Sequence, residues 1–163
     1  MSLTNKATPK YLSFILISVS SLGLTACTQT LEVPGFSNTS CGFTVDDKRA
    51  DPGYLYAHGS TVNSFPIAPP LSDSLTGAVC SKVQSVEAEF KIDSFSCTAT
   101  GFIDVSYKVE LSGALIKPDG SSENLKSWDK KSSSSSFIVD NCAAAAKTTI
   151  FSLAESISSR LSK

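Results

Sequence analysis

Two long alternating runs in the middle of the chain constrain the fold most strongly. In residues 86–92 and 103–111, apolar side chains alternate with polar or charged ones. Alternation with a period of two places each kind of side chain on one face of a strand, so each run predicts a strand with one buried face. The parity shifts after the first run, which predicts a bulge near Asp93 or Ser94.

Weaker signals surround these two strands. Residues 41–49 predict a first strand, and residues 50–70, rich in Pro and Gly, predict an irregular loop. The turn at residues 117–120 leads to a third strand around residues 123–130, whose lysines are typical of a sheet edge. Two helices are predicted from apolar residues at helical spacing: Leu71, Leu75, Ala78 and Val79, then Ala146, Ile150, Leu153, Ile157 and Leu161.

The order of these elements is strand, helix, three strands, helix. Each strand has one apolar face to cover, and two helices suffice to cover one face of a sheet. The sequence therefore predicts a two-layer α+β domain. We expect an antiparallel sheet of about four strands with both helices on one face.

The cysteines predict which parts of this domain are joined by disulfides. Four of the five, Cys41, Cys80, Cys97 and Cys142, make an even number and predict two disulfides in an oxidising compartment. Three connectivities are possible. Following the strand directions, Cys41 and Cys80 meet at one end of the domain and Cys97 and Cys142 at the other, so we expect these two pairs. Zinc is the competing interpretation, but its ligands usually come in close pairs, and these cysteines are far apart.

The N-terminus has the features of an export signal. Lys6 and Lys10 precede an apolar stretch over residues 11–24, which is short for a transmembrane helix. Leu24-Thr25-Ala26-Cys27 follows directly and resembles the lipobox of bacterial lipoproteins.

This resemblance implies cleavage before Cys27 and acylation of its sulfur, which would hold the protein to a membrane. Thr28 implies, by the sorting rule of such lipoproteins, the outer membrane of a Gram-negative bacterium, with the domain in the periplasm. We therefore expect a signal peptide over residues 1–26, a flexible tether over residues 27–40 and a single domain over residues 41–163.

The domain also resembles the YajG-type lipoproteins of Gram-negative bacteria. The shared features are the lipobox, the Val45-Asp46-Asp47-Lys48-Arg49 stretch that ends the first strand, the Gly-containing loop, the short helix, the alternating strands and the final helix. The resemblance implies a fold and a location and contributes no catalytic residues.

Several kinds of function are disfavoured. A net charge of −1 without a basic block argues against nucleic-acid binding. His58 and Ser60 suggest a hydrolase, but a serine nucleophile needs a base and an orienting acid, and no nucleophile-elbow motif is present. We expect no enzyme activity, no metal and no cofactor.

Two groups of residues remain as candidate contacts. The charged residues at the end of the first strand either pair with an envelope partner, bind a cation or, as we expect, lie in solvent and form weak ion pairs. They are Asp46, Asp47, Lys48, Arg49 and Asp51. The predicted loop carries Tyr54, Tyr56 and Phe65, which either bind a partner or cover the edge of the core. We expect a protein partner in the envelope or in a secretion complex, with small-ligand or lipid binding as the alternative.

Overall fold

The computed structural model describes residues 29–36, 40–101, 104–133 and 138–162. The predicted signal peptide, the lipobox, Cys27 and Ile103 lie outside these residues. Seven strands and two helices are described: β1 (Leu31–Glu32), β2 (Phe43–Asp47), β3 (Tyr54–His58), β4 (Val62–Ala68), α1 (Leu71–Cys80), β5 (Ala88–Thr100), β6 (Val105–Ile116), β7 (Ser122–Ser133) and α2 (Ile138–Leu161).

The two alternating runs form the centre of the sheet, as predicted. β5 and β6 pair antiparallel, and β7 pairs antiparallel with β6 as an edge strand. The pairing of β5 with β6 shifts register between Ile92 and Ser94, which confirms the predicted bulge. Asp93 is the extra residue, and it reverses the parity of the strand so that Phe95 and Cys97 are buried.

The number of strands and their directions differ from the prediction. The sheet has the order β1-β4-β3-β5-β6-β7, with β2 also paired to β5. β2 and β3 share one edge of the long β5 and run parallel to it, so the sheet is mixed. The predicted loop over residues 50–70 is largely the antiparallel hairpin β3–β4. Its Pro and Gly residues concentrate in the turns, and the free edge of β5 supplies pairing partners that a local pattern does not reveal.

The predicted tether is corrected for part of its length. β1 pairs parallel with β4, and the Val33 amide donates a hydrogen bond of 3.0 Å to the Ala68 carbonyl. Leu31 is fully buried and Val33 nearly so. These apolar side chains gain more from burial in the core than from exposure, and they fix residues 31–33 to the domain.

Both helices lie on one face of the sheet, as predicted. α2 packs across β6 and β7, α1 packs on β2, and the two helices contact each other. The core between the layers consists of fully buried side chains, including Phe90, Ile92, Leu111, Leu115, Ile150, Leu153 and Ile157. Each such side chain contributes about 1.5–3 kcal/mol relative to exposure.

Two disulfides join elements at opposite ends of the domain. Cys41 is bonded to Cys80 with a Cα–Cα distance of 5.3 Å, and Cys97 to Cys142 with a distance of 6.0 Å. This is the connectivity that the strand directions predict. In the described part of the chain, no helix is both long and apolar enough to cross a membrane.

Candidate partner-binding face

The helices cover one side of the sheet and leave the other side open. Residues that alternate with the buried positions of each strand point to this side, which we call the open face. Its central members are Tyr54, Tyr56 and His58 on β3, Ser94, Ser96 and Thr98 on β5, Lys108, Glu110 and Ser112 on β6, and Lys126, Trp128 and Lys130 on β7.

The exposed large apolar side chains of the described residues all lie on the open face. They are Tyr54, Tyr56, Val62 and Trp128, with exposed fractions of 39%, 37%, 64% and 58%. Val62 belongs to this face because it pairs with His58. Scattered exposed apolar residues are ordinary on a protein surface, but their confinement to one face marks that face as a contact surface.

A shallow trough lies on the open face beside the row of the two aromatic side chains. Strand pairing aligns Tyr56, Ser96, Glu110 and Trp128 in one row across four strands. Three strand spacings separate the positions of the two rings, or about 14 Å. From the middle of this row a groove of about 310 Å³ extends toward the ends of β5 and β7, lined by Ser96, Thr98, Thr100, Lys108, Glu110 and Lys130. Small hydroxyl side chains form its floor, so an occupant can approach the backbone of β5.

Neighbouring side chains hold the rings in place. The Tyr56 hydroxyl donates a hydrogen bond of 2.8 Å to Asp51 Oδ2, and this bond raises the pKa of Tyr56 above its ordinary value of 10.0. Lys108 Nζ lies 5.2 Å from the centre of the Trp128 ring, a cation–π distance. The aromatic side chains therefore lose little further freedom when they are contacted.

Glu110 organises the charges in the middle of the face. Lys126 Nζ lies 2.6 Å from one of its carboxylate oxygens and Lys108 Nζ lies 3.0 Å from the other. The hydrogen bond from Lys126 lowers the pKa of Glu110 most, burial opposes the shift, and Lys108 lowers it further. Lys130 has no ion-pair partner among the residues described, so this side of the trough carries an excess of positive charge.

The predicted contact residues do not all lie on this face. Tyr54 and Tyr56 do, but Phe65 pairs with the fully buried Leu55 and packs against the core on the helix side. Phe65 therefore covers the core edge, which was the other interpretation of the loop aromatics. If residues 54–58 and 62–68 are recognised as paired strands, their alternation places Tyr54 and Tyr56 on one face and Phe65 on the other.

Trp128 and the lysines around it were not among the predicted contacts. The alternation that buries Val109 and Leu111 also places Lys108 and Glu110 on the open face, so part of the signal was present in the sequence. Trp128 joins them only through its pairing with Glu110.

Two of the charged residues at the end of β2, Asp47 and Arg49, have a structural role. Arg49 Nε and one terminal nitrogen bond the two Asp47 carboxylate oxygens at 2.8 and 2.6 Å. The exposed fractions of these two side chains are only 8% and 9%. The prediction that the whole cluster is solvated is therefore wrong for this pair, whereas the Lys48–Asp46 pair is exposed.

Arg49 closes a gap in the sheet. β2 and β3 occupy the same edge of β5, and the chain between them leaves that edge near the bulge. The guanidinium also donates to the carbonyls of Pro52 and Tyr54 at 2.6 and 2.8 Å, and its carbon lies 5.5 Å from the centre of the Phe95 ring. It thereby fixes the start of β3, which carries Tyr54 and Tyr56.

The geometry of a serine hydrolase is not assembled around His58. His58 ends β3, and Ser60 lies in the exposed turn that follows. Within the described residues, no hydrogen bond orients the His58 ring, and no group of three His, Cys, Asp or Glu side chains could hold a metal ion. His58 borders a surface groove of about 440 Å³ with Asp51 and Asp93, but the Asp51 carboxylate is engaged by Tyr56.

Comparison with known proteins identifies a shared architecture. No protein-family model matches the sequence, and no curated protein matches it. A crystal structure of a Xanthomonas campestris protein of the DUF330 family is similar in fold, with a TM-score of 0.50 and 16% sequence identity. The match covers 82% of this chain and 92% of that one. The chain therefore has a fold already seen in a bacterial protein.

A minor lipoprotein from Acinetobacter baumannii also matches. Its TM-score is 0.42 at 9% identity, over 76% of this chain and 93% of that one. At this TM-score the likeness does not establish a shared fold.

Proposed function

We propose that this protein is a non-enzymatic lipoprotein of the bacterial envelope whose open face binds a partner protein. One observation carries the binding role: the exposed large apolar side chains of the described residues lie together on the sheet side that the helices leave open. An anchored accessory subunit of an envelope or secretion complex would use such a face to meet its partner.

The composition and size of the face favour a protein partner. Tyr and Trp are enriched where binding energy concentrates in protein interfaces, because a rigid ring buries a large area at a small entropic cost. Over β5, β6 and β7 the face is two strand spacings wide and about twelve residues long, and β3 and β4 widen it to four spacings only over their five and seven residues. Its area of about 600 Å² is at the lower end of the roughly 600–1,000 Å² that each partner contributes to an interface of standard size.

The charges suggest what the partner presents. Lys130 lines the trough on the β7 side, Lys126 lies on the same face of β7 and is paired with Glu110, and Glu110 is the carboxylate among the residues that line the trough. We expect an apolar surface opposite Tyr56 and Trp128, with acidic side chains facing the β7 lysines. Such complementarity raises the association rate and excludes wrong partners.

The location rests on the sequence. The lipobox at Leu24-Thr25-Ala26-Cys27 and the resemblance to YajG-type lipoproteins support acylation of Cys27. Together with Thr28 they support a place on the outer membrane, with the domain in the periplasm.

A small-ligand or lipid site between the sheet and the helices is less well supported. The side chains that fill this layer are fully buried and in contact, from Phe90 and Leu111 on the sheet to Ile150 and Leu153 on α2. Close packing of this kind fills the centre of the layer. A groove of about 340 Å³, lined by Ala57, Tyr107 and Ile138 among others, opens only at the end of the layer beside the β3–β4 turn.

The test is affinity capture of the acylated protein from detergent-solubilised membranes after crosslinking. The double variant Tyr56→Ser/Trp128→Ser removes both ends of the aromatic row. Loss of two central aromatic side chains typically weakens an interface by at least about 2–4 kcal/mol, or more than tenfold in Kd. We expect one partner to be captured by the wild-type protein and depleted at least tenfold with the variant.

A control variant changes exposed residues on the opposite surface. Lys82→Ser/Glu155→Ser removes an exposed ion pair between the end of α1 and α2, leaves the net charge unchanged and should capture the partner as the wild-type protein does. Absence of a partner with the wild-type protein would refute the binding role. Equal capture by both double variants would remove the open face as the binding site.

A further inference from the structure

Residues 31–36 form a strap that is fixed to the domain at several points. β1 pairs with β4, Leu31 and Val33 are buried, and Phe36 lies over both helices. A Cβ atom on Gly77 of α1 would overlap Phe36, and the Phe36 ring meets Phe151 of α2 edge-on at 5.9 Å. The strap is therefore part of the folded domain.

The strap leaves very little chain for a tether. Only residues 28–30 separate Cys27 from Leu31. A fully extended chain spans at most about 3.6 Å per residue, so the Cα atom of Cys27 lies within about 14 Å of that of Leu31. The domain itself is longer than this, because the twelve residues of β6 span about 40 Å.

The strand directions show the side from which the chain arrives. β3 and β5 run in parallel, β4 runs opposite to β3, and β1 runs parallel to β4. The chain therefore enters β1 from the side of the β3–β4 turn, which we call the upper end, and Leu31 pairs with Ile67 at the other end of β4. The turn between β6 and β7, at residues 117–121, lies at the opposite, lower end.

We propose that the domain docks on the bilayer with its β1 edge, on the side from which the chain arrives, and that the short connection keeps this edge at the membrane. This inference rests on the acylation of Cys27 in the proposed function and identifies the surface that meets the lipid headgroups. The β1 edge meets a lipid surface because the acyl chains must enter the bilayer within about 14 Å of Leu31. The open face then stands at an angle to the membrane, with β7 and Trp128 on the side away from the anchor.

The surface around the strap is compatible with a headgroup layer. Thr30 borders an open cleft of about 810 Å³ with Asp140, Ala144 and Lys147 on the first half of α2. Ser60 and Thr61, in the β3–β4 turn that lies above the strap along β4, are exposed, polar and uncharged.

The test compares two probes on the full, acylated protein in phosphatidylethanolamine and phosphatidylglycerol vesicles. Ser60→Cys and Ser121→Cys place a thiol in exposed turns at the upper and lower ends. Each is the only free thiol, because four cysteines are in disulfides and Cys27 is acylated. A fluorophore on this thiol is quenched by lipids that carry a nitroxide on the headgroup.

We expect quenching at least about threefold stronger at position 60 than at position 121, because the β6–β7 turn lies three strand spacings, or about 14 Å, farther from the β1 edge and at the opposite end of the strands. Equal quenching, or stronger quenching at position 121, would overturn the docking. A ten-residue Gly/Ser insertion after Thr28 should reduce the difference between the probes, and an unchanged difference would show that the short connection does not orient the domain.

The two proposals fail in different ways. Intact mass and flotation with vesicles report acylation, with Cys27→Ser as the control that stays in solution. A protein without acyl chains would overturn the anchor and the docking together. An acylated protein with equal quenching at both positions would overturn the docking alone, and capture of the partner is measured separately from both.

Discussion

Replacement of Arg49 by methionine tests how the sheet is closed between β2 and β3. Methionine keeps an unbranched apolar stem over Phe95 but removes the guanidinium. In the wild-type protein this group makes two bonds to Asp47 and two to the carbonyls of Pro52 and Tyr54. The variant leaves the Asp47 carboxylate, only 9% exposed, without its charged partner, since the backbone N–H of residue 49, 3.2 Å from Asp47 Oδ1, is the contact that remains.

The expected loss follows from that burial. Removing one member of a buried ion pair costs about 3–5 kcal/mol, because the remaining charge keeps its desolvation penalty. A domain of this size has a total stability of about 5–15 kcal/mol. With a urea dependence of about 2 kcal/mol per molar, a loss of 4 kcal/mol lowers the unfolding midpoint by about 2 M.

Urea denaturation of the oxidised protein, followed by circular dichroism, measures this shift. Lys48→Met is the matched control, since Lys48 precedes Arg49 and its ion pair with Asp46 is exposed, so we expect an unchanged midpoint. The double variant Asp47→Leu/Arg49→Met should recover at least about 1 kcal/mol of the loss, because it leaves no unpaired charge. An Arg49→Met midpoint equal to that of Lys48→Met would refute the role assigned to the pair.

Three further predictions address the core, the open face and the disulfides. Gly113→Ala should lower the free energy of unfolding, measured by urea denaturation, by about 3 kcal/mol, since a Cβ atom there would overlap a backbone carbonyl of β5 and the Phe90 ring. Gly120→Ala, with φ of +81° and open space around it, should cost only about 1 kcal/mol. The pKa of Glu110 is lowered from its ordinary value of 4.5, so its carboxylate stabilises the fold at pH values above 4.5. This contribution is lost as the pH falls from 4.5 through the lower pKa of the folded protein. Thermal melts of Glu110→Gln should therefore lose less stability than the wild type as the pH falls below 4.5, and parallel profiles would contradict this. Cys97→Ala/Cys142→Ala should destabilise by about 4 kcal/mol in the chain-entropy model, and a calorimetric loss below about 1 kcal/mol would contradict it.

Most of the helix layer and the centre of the sheet could be predicted because their signals are local. Alternation along β5 and β6, the parity shift at Asp93 and the helical spacing in α2 each depend on neighbours a few residues apart. The pairing of the cysteines could be predicted from these elements, since the strand directions bring Cys41 to Cys80 and Cys97 to Cys142.

The remaining features depend on contacts between distant parts of the chain. β1 has two residues and no periodicity, and it exists because the edge of β4 offers hydrogen bonds and the core accepts Leu31. The hairpin β3–β4 forms from a segment rich in Pro and Gly because β5 is long enough to pair with β2 and β3 on the same edge.

The candidate partner-binding face shows the same division. Alternation already assigns Lys108 and Glu110 to the wet side of their strand, because the parity of a strand is a local property. The alignment of Tyr56 and Trp128 in one row on that side depends on the register of four strands. The two residues are 72 positions apart in the chain, so no local sequence pattern predicts this alignment. Cross-strand register is set by packing of the whole sheet against its helices, and it decides which exposed side chains act together.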